Sequence, residues 1–391
     1  MKVLIFEYAT AMGLEDPEFL FEGRAMLEGL LDDFNKIEPA IKHSIELSRS
    51  LQSRNFEVSY LIAEKLLKKE YLQKWDVCAP LTVNFNPKNC SDLENWLESN
   101  ISNFEACIFI AAEEDLELYK LTKIIENKGV TVLGSSSDAV LKCSDKLKTY
   151  EYLKSLKNNV KNINNNLNLI NTYKIDLNEF INEIKEKNHF KSPIKLSDKF
   201  SNLFSNNKKM LIKPADGVAC QGIKVLNSFE ELQESLKHME TSLTHVLLQD
   251  FVEGQPCSVS LLSNGVEALS ISLNLQKIEF NDNGLEYNGG EVPWDHPLKE
   301  EALGMAKNIV ESIDGLKGYV GVDMILADKV YFIEINSRLT TPYVVLRDLM
   351  DINLGLAIVD SAMGNLPGEF NLSGCFEFQK GTEKLDIIRK N

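Results

Sequence analysis

The sequence predicts an α/β protein, with a doubly wound parallel sheet in its first third and a mixed α+β region after it. Two observations support this fold class. Short apolar runs alternate with helical patterns up to about residue 135, and strands separated by helices pair in parallel. Strands and turns then dominate residues 209–275. The length of 391 residues predicts two to three domains, and 44% hydrophobic residues exclude a disordered chain.

Hydrophobic periodicity predicts the N-terminal elements. Strands are expected at 3–6, 56–62, 106–111 and 130–133, and helices at 19–34 and 116–125. Loops that follow the strands of a doubly wound sheet face the ligand side. We therefore expect Glu7–Gly13 and Glu113–Asp115 near a cleft, with ordinary surface loops as the alternative.

An asparagine-rich stretch follows the N-terminal region. From Asn158 to Asn171, eight of fourteen residues are asparagine, and the chain stays rich in asparagine and lysine to Asn207. This composition predicts a flexible insertion between packed elements. A short helix is expected within it at 177–184, and we attach no function to the stretch.

The last part of the chain predicts a loop, a helix and a hairpin. Residues 281–290 hold three glycines and three asparagines, which favours a loop. An amphipathic helix is expected at 302–313. Its inward face carries Leu303, Ala306, Ile309, Val310 and Ile313. Strands at 320–326 and 330–335 are expected to form the hairpin.

Charge and cysteine content argue against several functions. Acidic residues outnumber basic ones by 58 to 42, and the net charge of −16 disfavours general nucleic-acid binding. The seven cysteines show no C-x-x-C spacing, which argues against a zinc ribbon and a disulfide framework. The N-terminal apolar run is shorter than that of a signal peptide, and no stretch approaches the ~18 apolar residues that span a bilayer. We therefore expect a cytoplasmic protein that binds neither nucleic acid nor membrane.

The second strand of the predicted hairpin carries polar side chains. Because side chains alternate across a strand, Glu334 and Asn336 share one face, while Ile333 and Ile335 pack on the other. Arg338 follows two residues later. A guanidinium in that place can bind phosphate or carboxylate, although an ordinary surface arginine is the alternative.

The first strand of the hairpin contributes Asp323. If Asp328 and Lys329 form a two-residue turn, Asp323 lies opposite Glu334, whereas a longer loop shifts the register and reverses the face. Asp323, Glu334 and Asn336 then offer hard oxygen ligands that suit Mg²⁺ or Mn²⁺. Two unrelated acids on a solvent-facing strand are the alternative.

Two lysines lie where an anion could bind. Lys213 ends a β-run and precedes a small-residue loop with Gly217 and Gly222, whose backbone N–H groups could surround phosphates. An ordinary hairpin turn is the alternative. Lys146 begins a predicted helix after an N-cap at Ser144 or Asp145, and a bound anion would offset its repulsion from the helix dipole. A solvated surface lysine is the alternative there.

In this order, the segments resemble the ATP-grasp superfamily. The resemblance covers roughly residues 135–345 and rests on Ser144–Lys146, Lys213 with its loop, Gln249–Gly254, Asp323, and Glu334–Arg338. It implies an ATP-grasp fold behind an N-terminal doubly wound (Rossmann-like) domain. The implied divisions are 1–140 for the N-terminal domain, 141–245 for a small ATP-grasp subdomain with the insertion, and 246–391 for a C-terminal subdomain with the metal site.

The same resemblance implies a role for each matching residue. Lys146 and Lys213 would contact ATP phosphates, and the loop from Ala215 to Gly222 would close over them. The adenine pocket would be lined by Gln249, Asp250, Phe251 and Val252. The divalent cation would be held by Asp323, Glu334 and Asn336, and Arg338 would act in catalysis with Lys213. The sequence departs from the common pattern at Gln249, where many members have glutamate, and at Pro256, where many have a ribose-binding glutamate, so Glu253 is the remaining ribose candidate.

The implied activity is ATP-dependent amide formation through an acyl phosphate. Two stretches, Leu4–Gly13 and Glu334–Tyr343, resemble archaeal ATP-grasp ligases that join L-glutamate to tyramine in methanofuran biosynthesis. L-glutamate and tyramine would be the small-molecule substrates. Whether the protein forms a homo-oligomer is left open by the sequence. Arg24 and Glu7 are candidates to bind the glutamate α-groups. Trp294 and Tyr343 could face the phenol, with core packing as the alternative.

Two other functions stay open from the sequence. One is an ATP-grasp ligase for another pair of acid and amine. The other is a nucleotide-binding regulatory module that has lost catalysis. A binding module has little need of a complete metal cluster, so the set of Asp323, Glu334, Asn336 and Arg338 argues against it.

Overall fold

A computed structural model of the chain describes residues 1–14, 17–36, 55–67, 78–159, 167–180, 200–215, 222–237, 239, 245–281, 284–381 and 384–390. The strands are β1 Lys2–Glu7, β2 Glu57–Ala63, β3 Cys78–Val83, β4 Ala106–Ile110, β5 Thr131–Val132, β6 Thr172–Asp176, β7 Met210–Pro214, β8 Lys224–Leu226, β9 His245–Asp250, β10 Gln255–Asn264, β11 Ala268–Asn281, β12 Gly284–Val292, β13 Lys317–Leu326, β14 Val330–Asn336, β15 Cys375–Lys380 and β16 Leu385–Lys390. The α-helices are α1 Tyr8–Met12, α2 Pro17–Asn35, α3 Glu64–Leu67, α4 Ser91–Asn100, α5 Glu117–Asn127, α6 Ser137–Ser144, α7 Lys146–Asn159, α8 Phe229–Lys237, α9 Lys299–Glu311, α10 Tyr343–Leu346 and α11 Leu354–Ala362. Short 3₁₀ helices span Ile101–Asn103, Glu114–Leu116 and Ser201–Asn207.

The N-terminal sheet is parallel and has the strand order β3-β2-β1-β4-β5. The four predicted strands and both helices are confirmed within a few residues. Every residue of β4 is buried, because this strand has a paired neighbour on each side. Strand β3 was not predicted; it is an edge strand that contains Pro80 and exposes three of its side chains. Such a strand has little hydrophobic alternation.

A four-stranded antiparallel sheet follows, with the order β6-β9-β7-β8. Strand β9 crosses the predicted domain boundary at 245/246 and pairs with β6 and β7, so this sheet includes residues up to Asp250. Most of the asparagine-rich stretch lies outside the described residues. The predicted helix at 177–184 is helical at 177–180, and its other residues lie outside the described part.

The third sheet is antiparallel and has seven strands in the order β14-β13-β10-β11-β12-β15-β16. The prediction of a loop at 281–290 is wrong, because β12 covers 284–292 and pairs with both β11 and β15. Gly289 has a φ of 127°, and a Cβ there would lie 2.1 Å from the carbonyl oxygen of Phe378. Glycine therefore allows β15 to approach closely in this strand rather than breaking it.

The predicted helix and hairpin of the C-terminal part are confirmed. Helix α9 buries Ala306, Ile309 and Val310 against the seven-stranded sheet, whereas Leu303 is only partly buried. Ile313 is buried just beyond the end of the helix. Strands β13 and β14 form the antiparallel hairpin.

A buried polar cluster joins the N-terminal domain to the C-terminal part. Asp33 of α2 accepts hydrogen bonds from the Tyr343 hydroxyl at 2.7 Å, from Arg347 Nε at 2.8 Å and from the Gly355 backbone N–H at 3.0 Å. A buried carboxylate is stable only when it is paired in this way. The cluster therefore holds the domain that carries β1 and β4 against the sheet that carries β13 and β14. Among the described residues, no helix has the length and apolar character needed to cross a membrane.

Candidate active site

A cleft of about 1390 Å³ lies where the three sheets meet. The carboxyl ends of β1 and β4 contribute one wall, and residues of β7, β9, β13 and β14 contribute the others. The predicted placement of the loops after β1 and β4 at a cleft is confirmed, because both Glu7 and Glu113 line it. The position agrees with the general location of ligands at the carboxyl ends of parallel strands.

The hairpin brings Asp323 opposite Glu334, as predicted, but by a different route. The connecting loop has three residues, since Leu326 pairs with Val330. A bulge at Ile333 then shifts the register by one, so Met324 pairs with Phe332 and Asp323 pairs with Glu334. The expected packing of Ile333 on the apolar face is wrong for the same reason. Ile333 is only partly buried and lines the cleft, whereas Phe332 and Ile335 are buried in the core, although Ile335 also borders the cleft.

The carboxylates of this pair have different surroundings. Asp323 accepts hydrogen bonds from Gln276 Nε2 and Asn336 Nδ2, each at 3.1 Å. Burial, with the negative charge of Glu334, raises the pKa of Asp323 to about 7. Burial also acts to raise the pKa of Glu334, but the positive charges of Lys146 and Lys213 outweigh it and the pKa is lowered. Glu334 is therefore ionised at neutral pH, and a cation beside it would favour ionised Asp323 as well.

The predicted metal ligands form a suitable donor set for a hard divalent cation. Among the described residues, no three histidine, cysteine, aspartate or glutamate side chains come together as a metal site, so the set needs the amide of Asn336 as its third member. The Asn336 amide nitrogen donates to Asp323, which leaves the amide oxygen for a cation. Two carboxylates and one amide oxygen match the preference of Mg²⁺ and Mn²⁺.

A group of lysines, which we call the cationic end of the cleft, lies beside the hairpin and consists of Lys146, Lys209 and Lys213. Lys146 begins α7, and its Nζ lies 3.2 Å from Glu334 Oε2. Asp145 caps this helix by accepting from two backbone N–H groups at 3.0 Å, as predicted. Lys213 is 96% buried near the end of β7, and a lysine is rarely buried without negative groups around it.

The strand predicted to line an adenine pocket reaches the same cleft. Gln249 is buried and donates to the Thr172 hydroxyl at 2.8 Å. Asp250 lies 2.7 Å from Lys208 Nζ, and its neighbours Phe251 and Val252 line the cleft. Glu253 is exposed at the rim. Of the predicted phosphate loop, Ala215 and Gly222 are described, but Gly217 and the rest of 216–221 lie outside the described residues.

Arg338 has a partner that sequence reasoning did not identify. Its Nε and Nη2 both donate to Glu113 Oε2, at 2.9 and 2.8 Å. Glu113 is only 6% exposed, and its Oε1 has no hydrogen-bond partner among the residues that the structure describes. The loop that follows holds two non-glycine residues, Asp115 and Leu116, in the left-handed region, with φ of 51° and 59°. Such strained backbone is found most often at functional sites.

Glu7, Glu113 and Glu117, which we call the acidic end of the cleft, face it from the N-terminal domain. Glu7 caps α1 by accepting from the backbone N–H groups of Ala9 and Thr10, at 2.8 and 2.7 Å. Burial raises the pKa of Glu7. Gly23 lies against this carboxylate, since a Cβ there would come within 2.5 Å of it.

Three of the proposed substrate contacts do not line the cleft. Arg24 pairs with Glu28 at 2.8 Å along α2. Tyr343 is fully buried and donates to Asp33, and Trp294 packs against the core beside His296, so core packing describes both aromatic residues. Tyr8 and Tyr287 line the cleft instead. Tyr8 could have been found from its place directly after the β1 carboxyl end.

The chain is similar to a known domain family, to two named enzymes and to a solved structure. The model of the ATP-grasp domain family matches residues 176–342. The tyramine–L-glutamate ligase of Methanocaldococcus fervens is 33% identical over 341 residues, which are 87% of each chain. The enzyme of the same name from Methanocaldococcus jannaschii is 30% identical, covering 87% of this chain and 82% of its own. A solved ATP-grasp superfamily protein from Archaeoglobus fulgidus has a TM-score of 0.64 and 24% identity, with both chains fully covered.

Proposed function

The chain belongs to the ATP-grasp family of ATP-dependent ligases, and we propose that it joins the γ-carboxylate of L-glutamate to the amine of tyramine. The observation that carries this proposal is the division of one cleft into a cationic and an acidic end. The cationic end suits the phosphates of ATP. The acidic end suits an amine, which is protonated at neutral pH. The two relatives named for this reaction supply the identity of the acid and the amine.

Activation of the acid is the first chemical requirement. A carboxylate is a poor acyl donor, because its leaving group would be an oxide ion. Transfer of the γ-phosphoryl group of ATP to the carboxylate creates an acyl phosphate with a good leaving group. Lys146 and Lys213 would balance the charge that spreads over the phosphoryl oxygens during this transfer.

Divalent cation binding is assigned to the hairpin. Asp323, Glu334 and Asn336 would hold one or two ions, for which Mg²⁺ and Mn²⁺ are the proposed identities. The cation supplies positive charge to the phosphate oxygens when it is bound. The salt bridge between Lys146 and Glu334 holds the lysine beside the proposed cation site.

Amide formation is the second requirement. The ammonium group first gives up a proton to solvent, and the neutral amine then attacks the acyl carbon. The carbon–oxygen bond to phosphate breaks, and a second proton from the nitrogen leaves with the phosphate, so that the products are the amide, ADP and phosphate. Arg338 would stabilise the oxyanion that forms at the acyl oxygen. Its side chain is 17% exposed and is held by Glu113, so its orientation is restricted before substrates bind.

The direct test is ADP release in the presence of Mg²⁺, ATP and L-glutamate, with and without tyramine. We expect ADP release that depends on tyramine, with the γ-glutamyl amide identified by mass spectrometry. Tyrosine and aliphatic amines serve as controls. Turnover only with another acid and amine would support the ligase chemistry but reject L-glutamate and tyramine as the substrates. ATP binding without turnover for every pair would favour a regulatory module instead.

A further inference from the structure

We propose that Glu113 and Glu117 form the binding subsite for the ammonium group of the amine substrate, and that this amine carries no carboxylate of its own. The inference deepens the proposed function, because it names the residues that hold the second substrate. The subsite lies on the loop between β4 and α5, at the acidic end of the cleft.

The two oxygens of Glu113 differ in their hydrogen bonds. Its Oε2 accepts from Nε and Nη2 of Arg338, whereas its buried Oε1 accepts from no group among the described residues. A buried carboxylate oxygen without a hydrogen bond is costly, so a donor from outside the protein would stabilise it. An ammonium group bound to Oε1 would lie one carboxylate width from the guanidinium assigned to the acyl oxygen. Glu113 would thereby hold the amine nitrogen beside the reacting carbonyl, where it becomes the nucleophile once its ammonium proton has passed to solvent.

Glu117 shows the same division between its two oxygens. It is the first residue of α5 and only 8% exposed. Its Oε1 lies 3.4 Å from Lys120 Nζ, whereas its buried Oε2 has no hydrogen-bond partner in the part of the chain that the structure describes. Lys120 is itself 44% exposed, so its charge is screened by solvent. Glu117 therefore retains the capacity to accept a hydrogen bond inside the cleft.

The chemistry of this end favours an ammonium group over a metal ion. Among the described residues, no three acidic, histidine or cysteine side chains come close enough together to hold a metal. An ammonium group needs only two or three acceptors, which two separate carboxylate oxygens can supply. It also compensates the excess negative charge of a loop that carries Glu113, Glu114, Asp115 and Glu117.

The same charges decide what else the amine can carry. An amino acid would bring its α-carboxylate next to this acidic loop, where like charges repel. Tyr8, Leu14 and Met26 line the cleft from the same domain and offer apolar surface for the body of the ligand. A primary amine with an apolar or aromatic body and no carboxylate fits both features.

The test measures amine binding directly, by calorimetry with the intact protein in the presence of ADP and Mg²⁺. The ligands are tyramine and 2-phenylethylamine, with L-tyrosine and L-phenylalanine as their carboxylated counterparts. The variants are Glu113→Gln and Glu117→Gln. Glu98→Gln is the control, because it removes one negative charge from an exposed position on α4 of the same domain.

We expect Glu113→Gln to weaken binding of the amines by at least about tenfold and Glu117→Gln by about fivefold, with Glu98→Gln unchanged. The amino acids should bind the wild type at least about tenfold more weakly than the amines. In steady-state assays, Glu117→Gln should raise the amine KM while kcat and the KM for ATP stay the same. Circular dichroism and thermal unfolding confirm that each variant is folded, and Glu117→Gln keeps the test decisive if Glu113→Gln fails to fold.

Several outcomes would overturn the subsite. These are unchanged amine binding in both variants, equal binding of tyramine and tyrosine, and no binding of either amine to the wild type. An equal loss of ATP and amine binding in Glu117→Gln would also overturn it, since that pattern indicates a structural role. Failure of the proposed function is separate: turnover with 2-phenylethylamine but not tyramine rejects the tyramine assignment and supports the subsite.

Discussion

The two ends of the cleft carry opposite charge and balance it differently. At the cationic end, Lys146 and Lys213 lie near Glu334, and their positive charges lower the pKa of that carboxylate. Cations and carboxylates there stabilise each other before any ligand binds. At the acidic end, Arg338 balances one oxygen of Glu113, while Glu113 Oε1 and Glu117 Oε2 have no hydrogen-bond partner within the described ranges of the chain. That end needs a cation from outside the protein.

The difference extends to individual residues within the acidic end. Glu7 uses its carboxylate to cap α1, with hydrogen bonds to two backbone N–H groups and a close contact with Gly23. Glu113 and Glu117 each have one carboxylate oxygen to which no described residue donates a hydrogen bond. Three buried carboxylates in one cleft therefore divide into one structural residue and two that can receive a ligand.

The largest effect is expected at the hairpin. Glu334→Gln removes a carboxylate that faces both the proposed cation and Lys146, so kcat should fall by about a thousandfold while the fold is retained. ADP release under saturating substrates measures this loss. Asp328→Asn, which changes an exposed acid in the loop of the same hairpin, is the matched control and should retain activity. Wild-type turnover in Glu334→Gln would remove the metal assignment.

A smaller effect is expected from the cationic end. Lys213→Ala deletes a buried charge beside the proposed phosphate site and should raise the Kd for ATP by about 30-fold, which corresponds to about 2 kcal/mol. Fluorescence titration with a labelled ATP analogue measures the change. Lys224→Ala removes an exposed lysine from β8 of the same sheet and should leave the affinity alone. Equal affinities for the two variants would contradict the phosphate role of Lys213.

The hairpin should also make metal binding depend on pH. Burial and the negative charge of Glu334 raise the pKa of Asp323 to about 7. A protonated carboxyl group is a poor ligand, so Mn²⁺ affinity is greatest above pH 7 and should fall about tenfold between about pH 8 and about pH 6. Calorimetric titration across this range tests the expectation. Asp323→Asn should flatten the profile, and a wild-type profile that is already flat would show that Asp323 does not bind the cation.

The smallest effect is expected at Glu7. Glu7→Gln weakens the cap of α1, so the free energy of unfolding should fall by about 1 kcal/mol. The amine Kd should change by less than about threefold, because this carboxylate is already occupied by the backbone. Denaturant unfolding and amine titration of the same preparation measure both quantities. A loss of amine affinity as large as that of Glu113→Gln would place Glu7 in the subsite and remove the contrast within the acidic end.

Local sequence patterns were sufficient for much of the N-terminal sheet and for the pairing of the two hairpin carboxylates, whereas the roles of Lys146 and Lys213 came from the family resemblance. The parallel N-terminal sheet follows from apolar runs such as Val3–Phe6 and Ala106–Ile110, because a strand that is buried on both faces consists almost entirely of apolar residues. Asp323 and Glu334 lie within one hairpin, so alternation along two adjacent strands is enough to propose that they meet. The prediction from composition was wrong at β12. Its glycines indicate a loop, and only the pairing with β15, which the local sequence does not show, explains them within a strand.

What the linear chain determined is therefore those strands and helices that have a clear hydrophobic periodicity, and the residues that face one another across a hairpin, since these depend on interactions between near neighbours. Tertiary structure alone decided the bulge at Ile333, the burial of Tyr343 and the pairing of Arg338 with Glu113. Arg338 and Glu113 are 225 residues apart, and no local periodicity links such distant positions. Their contact arises because the Asp33 cluster holds the N-terminal domain against the hairpin sheet, and the acidic end of the cleft comes to face Arg338 only through that packing.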